Sequence, residues 1–356
     1  MSADAHAEGV DAAWDFADAP LWRAVDELLD RAPTAPDLRA HRLHLLSARR
    51  LRSQGHVVPD ELVVDERLAA AVTLAAELAL ERARAAYDGT LVLIKGLEAA
   101  LRYPSPTLRP FRDVDLLVDR PWEAQRALIA AGFEPVGMDD RYYESKQHLR
   151  PLRLPGLPVL VEVHRRPVWV PWASPPSTPE LLSDAVDSAT GIPDVLALSP
   201  AHHALVLAAH SWVGTPFRRL LDLVDITLVA EEADPVALRE AARRWQVDGV
   251  WRTTRAAADA VLFGGHAPWH VRLWAGDLGA MRDRTVLRDH VVRLLSPFSA
   301  LPPQRAFGVA GQALLRNLLP APGETWRMKS GRSRRAVSNA FERISVHNHT
   351  SEEAPS

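Results

Sequence analysis

The sequence predicts an α+β protein: a small mixed-sheet core, flanked by N-terminal helices and followed by a C-terminal helical domain. Two patterns and one bulk property point to it. Apolar residues recur at helical spacing up to about Asp60 and again from Val195 onward. Between them lie short apolar runs of strand length, Leu91–Ile94, Asp113–Val118 and Val159–His164. The 356 residues are 47% hydrophobic and 24% charged, the balance of a globular chain divided into two or three cooperating domains.

The first helices are expected at Leu21–Asp30 and Leu38–Leu51, parted by the breaker Pro33-Thr34-Ala35-Pro36. Arg39, Arg42, Arg49, Arg50 and Arg52 make the second one basic, and a solvated helix face explains them better than a nucleic-acid groove. Asp65 reads as the N-cap of a long helix to Tyr87, stopped by Gly89, with Glu66, Thr73, Glu77, Glu81 and Arg84 in one polar stripe. After the strand Leu91–Ile94, Lys95-Gly96 leads into a helical turn, Leu97–Leu101. The strand Asp113–Val118 is followed by a helix between Pro121 and Gly132, and further strands are expected at Phe133–Val136, Tyr142–Leu149 and Val159–His164. Pro167–Pro179, dense in proline and tryptophan, reads as a linker or covering loop. Helices then follow over Ser199–Trp212, Arg218–Glu232, Pro235–Trp245 and Val250–Phe263. These elements divide into residues 1–60 (helical), 61–175 (α/β core), 195–322 (helical) and 323–356, a basic disordered tail with a short helix at Ala336–Ile344.

Bulk chemistry narrows the function. There is no cysteine, which excludes disulfides, thiolate zinc sites and cysteine nucleophiles, and no zinc site is expected. A metal would rest on oxygen and imidazole ligands, favouring Mg²⁺ or Mn²⁺. The net charge of −3 attracts neither nucleic acid nor anionic membrane as a whole. Met1–Pro20 lacks a basic segment followed by an apolar run, and the most apolar stretches, Leu68–Leu80 and Leu196–Val213, are broken by Glu77 or by His202, His203 and His210. A soluble, cytoplasmic protein without a membrane partner is the expectation.

Along a strand, residues two apart share a face. Asp113 and Asp115 therefore project together, although like charges repel on a sheet and call for a cation between them. Glu162 and His164 repeat the device in Val159–His164. If the two strands pair, three carboxylates converge into a ligand set suited to octahedral Mg²⁺. Gly96 lets backbone N–H groups approach a phosphate, Lys95 offers charge, and Arg109 and Arg112 could clamp phosphate oxygens. His148, His164 and His210 are candidates for the acceptor side or for support of the metal ligands. His203 and His210, seven apart on one helix face, read first as a packed pair, and Asp225 as a partner for an arginine or histidine.

These residues resemble an uncharacterised bacterial nucleotidyltransferase family within the DNA polymerase β-like superfamily, which also includes the aminoglycoside nucleotidyltransferases. The resemblance rests on Leu93-Ile94-Lys95-Gly96, Tyr103-Pro104, Arg109, Asp113-Val114-Asp115-Leu116-Leu117-Val118 and Glu162-Val163-His164. His203, His210, Arg219 and Asp225 fit a later segment of histidines and an Arg…Asp stretch. It implies that Asp113, Asp115 and Glu162 are catalytic and ligate Mg²⁺ or Mn²⁺. Lys95, Gly96 and Arg109 would surround an NTP, whose NMP passes to an unidentified acceptor, whether small molecule, protein or RNA. One departure is Leu97, where the superfamily usually carries a small or hydroxylated residue after the glycine. Phosphoryl transfer on the same fold, or a degenerate nucleotide- or partner-binding domain, are the alternatives. A D-x-D glycosyltransferase is more distant, because the region before Leu91 reads as helical rather than as a nucleotide-sugar-binding α/β unit.

Overall fold

A computed structural model of the chain describes residues 19–30, 35–269, 272, 285–320 and 325–341. The expectations for the first eighteen residues and for the end of the tail lie outside the described residues. The core is a seven-stranded mixed sheet in the order β3-β4-β5-β2-β1-β7-β6. Its strands are β1 (Leu91–Leu93), β2 (Asp113–Val118), β3 (Glu134–Pro135), β4 (Leu152–Arg153), β5 (Leu160–His164), β6 (Val186–Asp187) and β7 (Leu196–Ala197). β2 runs antiparallel to β1 and parallel to β5, and the register sets Asp115 opposite Glu162 and Leu117 opposite His164.

The helices up to the end of the compact region are α1 (Pro20–Asp30), α2 (Ala35–Ala40), α3 (His44–Ser53), α4 (Asp60–Ala86), α5 (Leu97–Ala100), α6 (Pro121–Ala130), α7 (Asp140–Tyr143), α8 (Thr178–Ser183), α9 (Pro200–Ser211), α10 (Leu220–Glu231), α11 (Pro235–Arg244) and α12 (Asp248–Leu262). They sort onto two faces of the sheet because strand side chains alternate. Leu91, Leu93, Val114, Leu116, Val161 and Val163 pack on the alanine-rich side of α4 and on Ala124 and Leu128 of α6. Val92, Ile94 and Leu117 face the other way, into a cluster with α1, α9, α10 and α12. Asp113 and Asp115 share the Leu117 face by alternation, so both carboxylates point toward α9 and α10.

Several boundaries differ from expectation for local reasons. The expected helix over Leu38–Leu51 is broken at Arg42, whose φ of 58° leaves the helical region and separates α2 from α3. The basic face there is largely ion-paired rather than solvated: Arg39 meets Glu61 and Asp65, Arg50 meets Asp26 and Asp30, and Arg52 meets Glu66. α4 begins at Asp60 after Pro59, with Asp60 and Glu61 at the positive end of its dipole, and Asp65 is a mid-helix ion-pair partner rather than a cap. It ends in extended backbone at Tyr87; Gly89 is needed because a Cβ there would run into the Tyr87 hydroxyl.

Tyr142–Leu149 is not a strand. The Asp139 carboxylate accepts from the Tyr142 N–H at 3.2 Å and caps the short helix α7. The segment meets the sheet only at its end, by a bridge between His148 and His164 in which the Leu149 N–H donates to the Val163 carbonyl at 2.8 Å. Phe133–Val136 shortens to β3, while β4, β6 and β7 are two residues each, too short for any periodicity to announce. The proline–tryptophan segment is a covering loop whose Trp169 and Val170 are buried. Trp326–Ser338 forms a helix where a disordered tail is expected. Among the described residues no helix is long and apolar enough to cross a membrane.

Candidate functional site

β2 and β5 pair in parallel and bring two of the three anticipated carboxylates together. Asp115 and Glu162 stand side by side, and ligand atoms of Asp115, Glu162 and His164 lie within 4.8 Å of one another. His164, expected on the acceptor side or in support of the metal ligands, enters this tightest set. Its Nε2 is 2.9 Å from Asp115 Oδ1 and 3.6 Å from Glu162 Oε2, and His148 Nε2 is 3.7 Å from the same Glu162 oxygen. Asp113 stands one pleat away, outside that set but electrostatically bound to it.

The charges divide unequally. Burial pushes the Asp113 carboxyl up, and the neighbouring Asp115 and Glu162 charges add to it while Lys95 opposes. Burial also pushes Asp115 up, but Lys95 and the hydrogen bond and charge of His164 outweigh it and hold Asp115 well below the usual carboxylate range. His164 would be lowered by burial; its bonds and charge interactions with Asp115 and Glu162 raise it to about 9. Imidazolium is thus one cation answering the acidic cluster.

At the end of β1 the chain turns sharply at Gly96, with φ of 58°. A Cβ at this position would sit 2.5 Å from the Asp113 carbonyl oxygen, so only glycine allows the turn to lie against β2. Lys95 lies half-buried beside it, with Nζ 3.4 Å from His210 Nε2 on α9. The Lys95 charge and burial push His210 well below its ordinary value, so the ring is neutral. Leu97 is fully buried in the α4 side of the core and takes no part in the site.

Arg109 is placed differently from a phosphate clamp. Its guanidinium is buried, donates to both Asp225 oxygens at 2.8 and 2.7 Å, and gives its remaining nitrogen to the Gly96 carbonyl at 3.1 Å. Tyr103 donates to Asp225 Oδ1 at 2.7 Å. The reading of Asp225 as an arginine partner agrees with this geometry, and Arg109 becomes the brace that ties the Gly96 turn to α10. Arg112 is exposed beside β2, and His203 is buried in α9, where burial and the nearby Arg102 and Arg109 lower it to about 3.

Sequence inspection did not single out Arg42 or Asp222. Burial and Arg219 lower Arg42 to about 10, and Asp222, Arg109 and Asp113 are its other charged neighbours. The only signal was a lone arginine in a basic run, and nothing local told it from the ion-paired ones.

The donor set fits a hard divalent cation. Asp115 Oδ2 is buried and has no hydrogen-bond partner, and oxygen and imidazole ligands without sulfur suit Mg²⁺ or Mn²⁺. An orphaned acceptor between two further carboxylates is costly unless something positive meets it.

Residues 37–261 match the model of a protein family described as "Uncharacterised nucleotidyltransferase". No curated protein matches the chain. With most of its length inside that match, the chain belongs to this nucleotidyltransferase family.

Proposed function

With that membership as premise, we propose that the protein transfers an NMP from an NTP to an acceptor hydroxyl and releases pyrophosphate. The observation that carries the reading is the register of Asp115 beside Glu162, with Asp113 on the same face and the Lys95-Gly96 turn against it. Asp113, Asp115 and Glu162 would hold Mg²⁺, with His164 beside them; when bound, the ion supplies charge neutralisation at the phosphates and polarisation of the attacked centre. Lys95 neutralises a phosphate oxygen, and the Gly96 turn presents backbone N–H groups at close range. Asp113, crowded by Asp115 and Glu162, would have its charge answered by the same ion. The acceptor oxygen bonds to the α-phosphorus as the bond to the departing pyrophosphate breaks. α9, α10 and the N-terminal helices wall the site and would select the acceptor.

Incubation with each NTP, Mg²⁺ or Mn²⁺ and candidate small-molecule, protein and RNA acceptors tests this, products being identified by mass spectrometry. Adduct and pyrophosphate are expected from wild type and not from Asp113→Ala or Asp115→Ala. Equal product from all three sinks the proposal, and nucleoside diphosphate in place of pyrophosphate would assign phosphoryl transfer instead.

A further inference from the structure

The break between α2 and α3 has a second consequence. Arg42 there adopts φ of 58° as the left-handed residue that closes α2, with the Leu43 N–H donating to the Leu38 carbonyl at 2.7 Å and the Arg42 N–H to the Arg39 carbonyl at 3.0 Å. The same turn is held to α10, whose first-turn Leu221 N–H donates to the His41 carbonyl at 3.3 Å. Leu38, Leu43 and Leu46 lock the same turn into the apolar cluster that holds α10. The chain is thereby fastened at the N-terminus of α10, and Arg42 is delivered beside Arg219, Asp222 and Asp113.

Two features mark this arrangement as more than packing. Arg42 and Arg219 are both half-buried, and among the described residues neither makes an ion pair, whereas Arg39, Arg50 and Arg52 on the same short segment all do. Asp222 and Asp113 answer them only at a distance and not through an ion pair, so both planar forks keep N–H donors for a further anion. The nearest candidate for chemistry is the proposed site, where Lys95 also lies and where Leu97 leaves no hydroxyl to meet a phosphate. Arg109 cannot serve, its nitrogens being committed to Asp225 and Gly96.

We propose that Arg42, paired with Arg219, is a phosphate-binding arm for the triphosphate, reaching the sheet site from the N-terminal helices. Resting on the nucleotidyltransferase reading, it adds to that reading the residues that grip the polyphosphate. Two planar forks can grip oxygens on adjacent phosphates, which a single lysine cannot.

The test uses the full chain with inorganic tripolyphosphate and Mg²⁺ by calorimetry, and steady-state kinetics with the NTP. Arg42→Gly removes the side chain at a position whose backbone glycine adopts freely, and Arg42→Asn does so with the non-glycine residue most at ease there. Both variants are expected to bind tripolyphosphate about 10- to 100-fold more weakly, with the KM for NTP raised to match and the melting temperature unchanged. Wild-type binding by both variants overturns the inference and leaves the nucleotidyltransferase reading standing. Weak binding accompanied by a fall in melting temperature in both assigns Arg42 to the fold and likewise overturns it. A wild type that binds neither tripolyphosphate nor any NTP overturns both.

Discussion

Two buried charge clusters lie a few residues apart in this molecule and are built on opposite rules. Around Asp225, Arg109 fills both carboxylate oxygens, Tyr103 adds a third bond, and the last guanidinium nitrogen closes on Gly96. Around Asp115 the acids outnumber the cations, one carboxylate oxygen has no partner, and Asp113 and Glu162 crowd the same face. Buried charge is tolerated in the first case because it is fully answered. In the second it is answered only in part, by His164 and Lys95, and a gap of that kind marks a place where a ligand completes the electrostatics. On the proposed function, the closed cluster belongs to architecture and the open one to chemistry.

Substitutions should separate the two. Asp113→Asn in the open cluster is expected to lower kcat/KM by on the order of 10⁴-fold, while unfolding in urea stays at or above wild type because burial of a charge and like-charge repulsion are relieved. A large stability loss in that variant would erase the distinction. Asp225→Ala strands Arg109 in the interior and should cost about 3–5 kcal/mol of stability. Replacing both partners, Arg109→Met with Asp225→Leu, should recover most of it in a urea titration, though the Gly96 turn then loses its brace.

Gly96→Ala probes the seam between the clusters. The added Cβ meets the Asp113 carbonyl and the backbone must leave φ of 58°, so about 1–3 kcal/mol of strain and a matching loss of activity are expected. Thermal unfolding of the variant checks the first and turnover the second. Acid sharpens the closed side further. Above pH 6.5 neither folded nor unfolded chain protonates His203; below it the unfolded chain takes up the proton and the native state refuses it until about 3. Stability therefore falls with acid over that window, by up to about 1.4 kcal/mol per pH unit from this residue. His203→Gln should flatten the slope between pH 6 and about 4, as read from urea midpoints at each pH.

The long elements were legible because their causes are local. α1, α9, α10 and α12 carry apolar residues at helical spacing, and β2 and β5 are runs of Val and Leu long enough to alternate. Asp113 with Asp115, and Glu162 with His164, could be nominated for the same reason, since period two places each pair on one face of its strand, while the meeting of the two pairs needed the β2–β5 register. α7 escaped because a single capping carboxylate outweighed the strand preference of its tyrosines. β6 and β7 escaped because two residues have no period.

By itself, then, the sequence determined which residue types could meet on a strand face, where most of the longer strands and helices would form, and that no thiolate could serve as a metal ligand. Only the tertiary structure decided which cations answer which anions. Arg109 and Arg42 are indistinguishable as letters, yet one is locked onto Asp225 and the other is left without an ion pair beside Asp113. Pairing is set by contacts between residues far apart in the chain, such as the His41 carbonyl on the first turn of α10. No local spacing encodes a hydrogen bond of that reach.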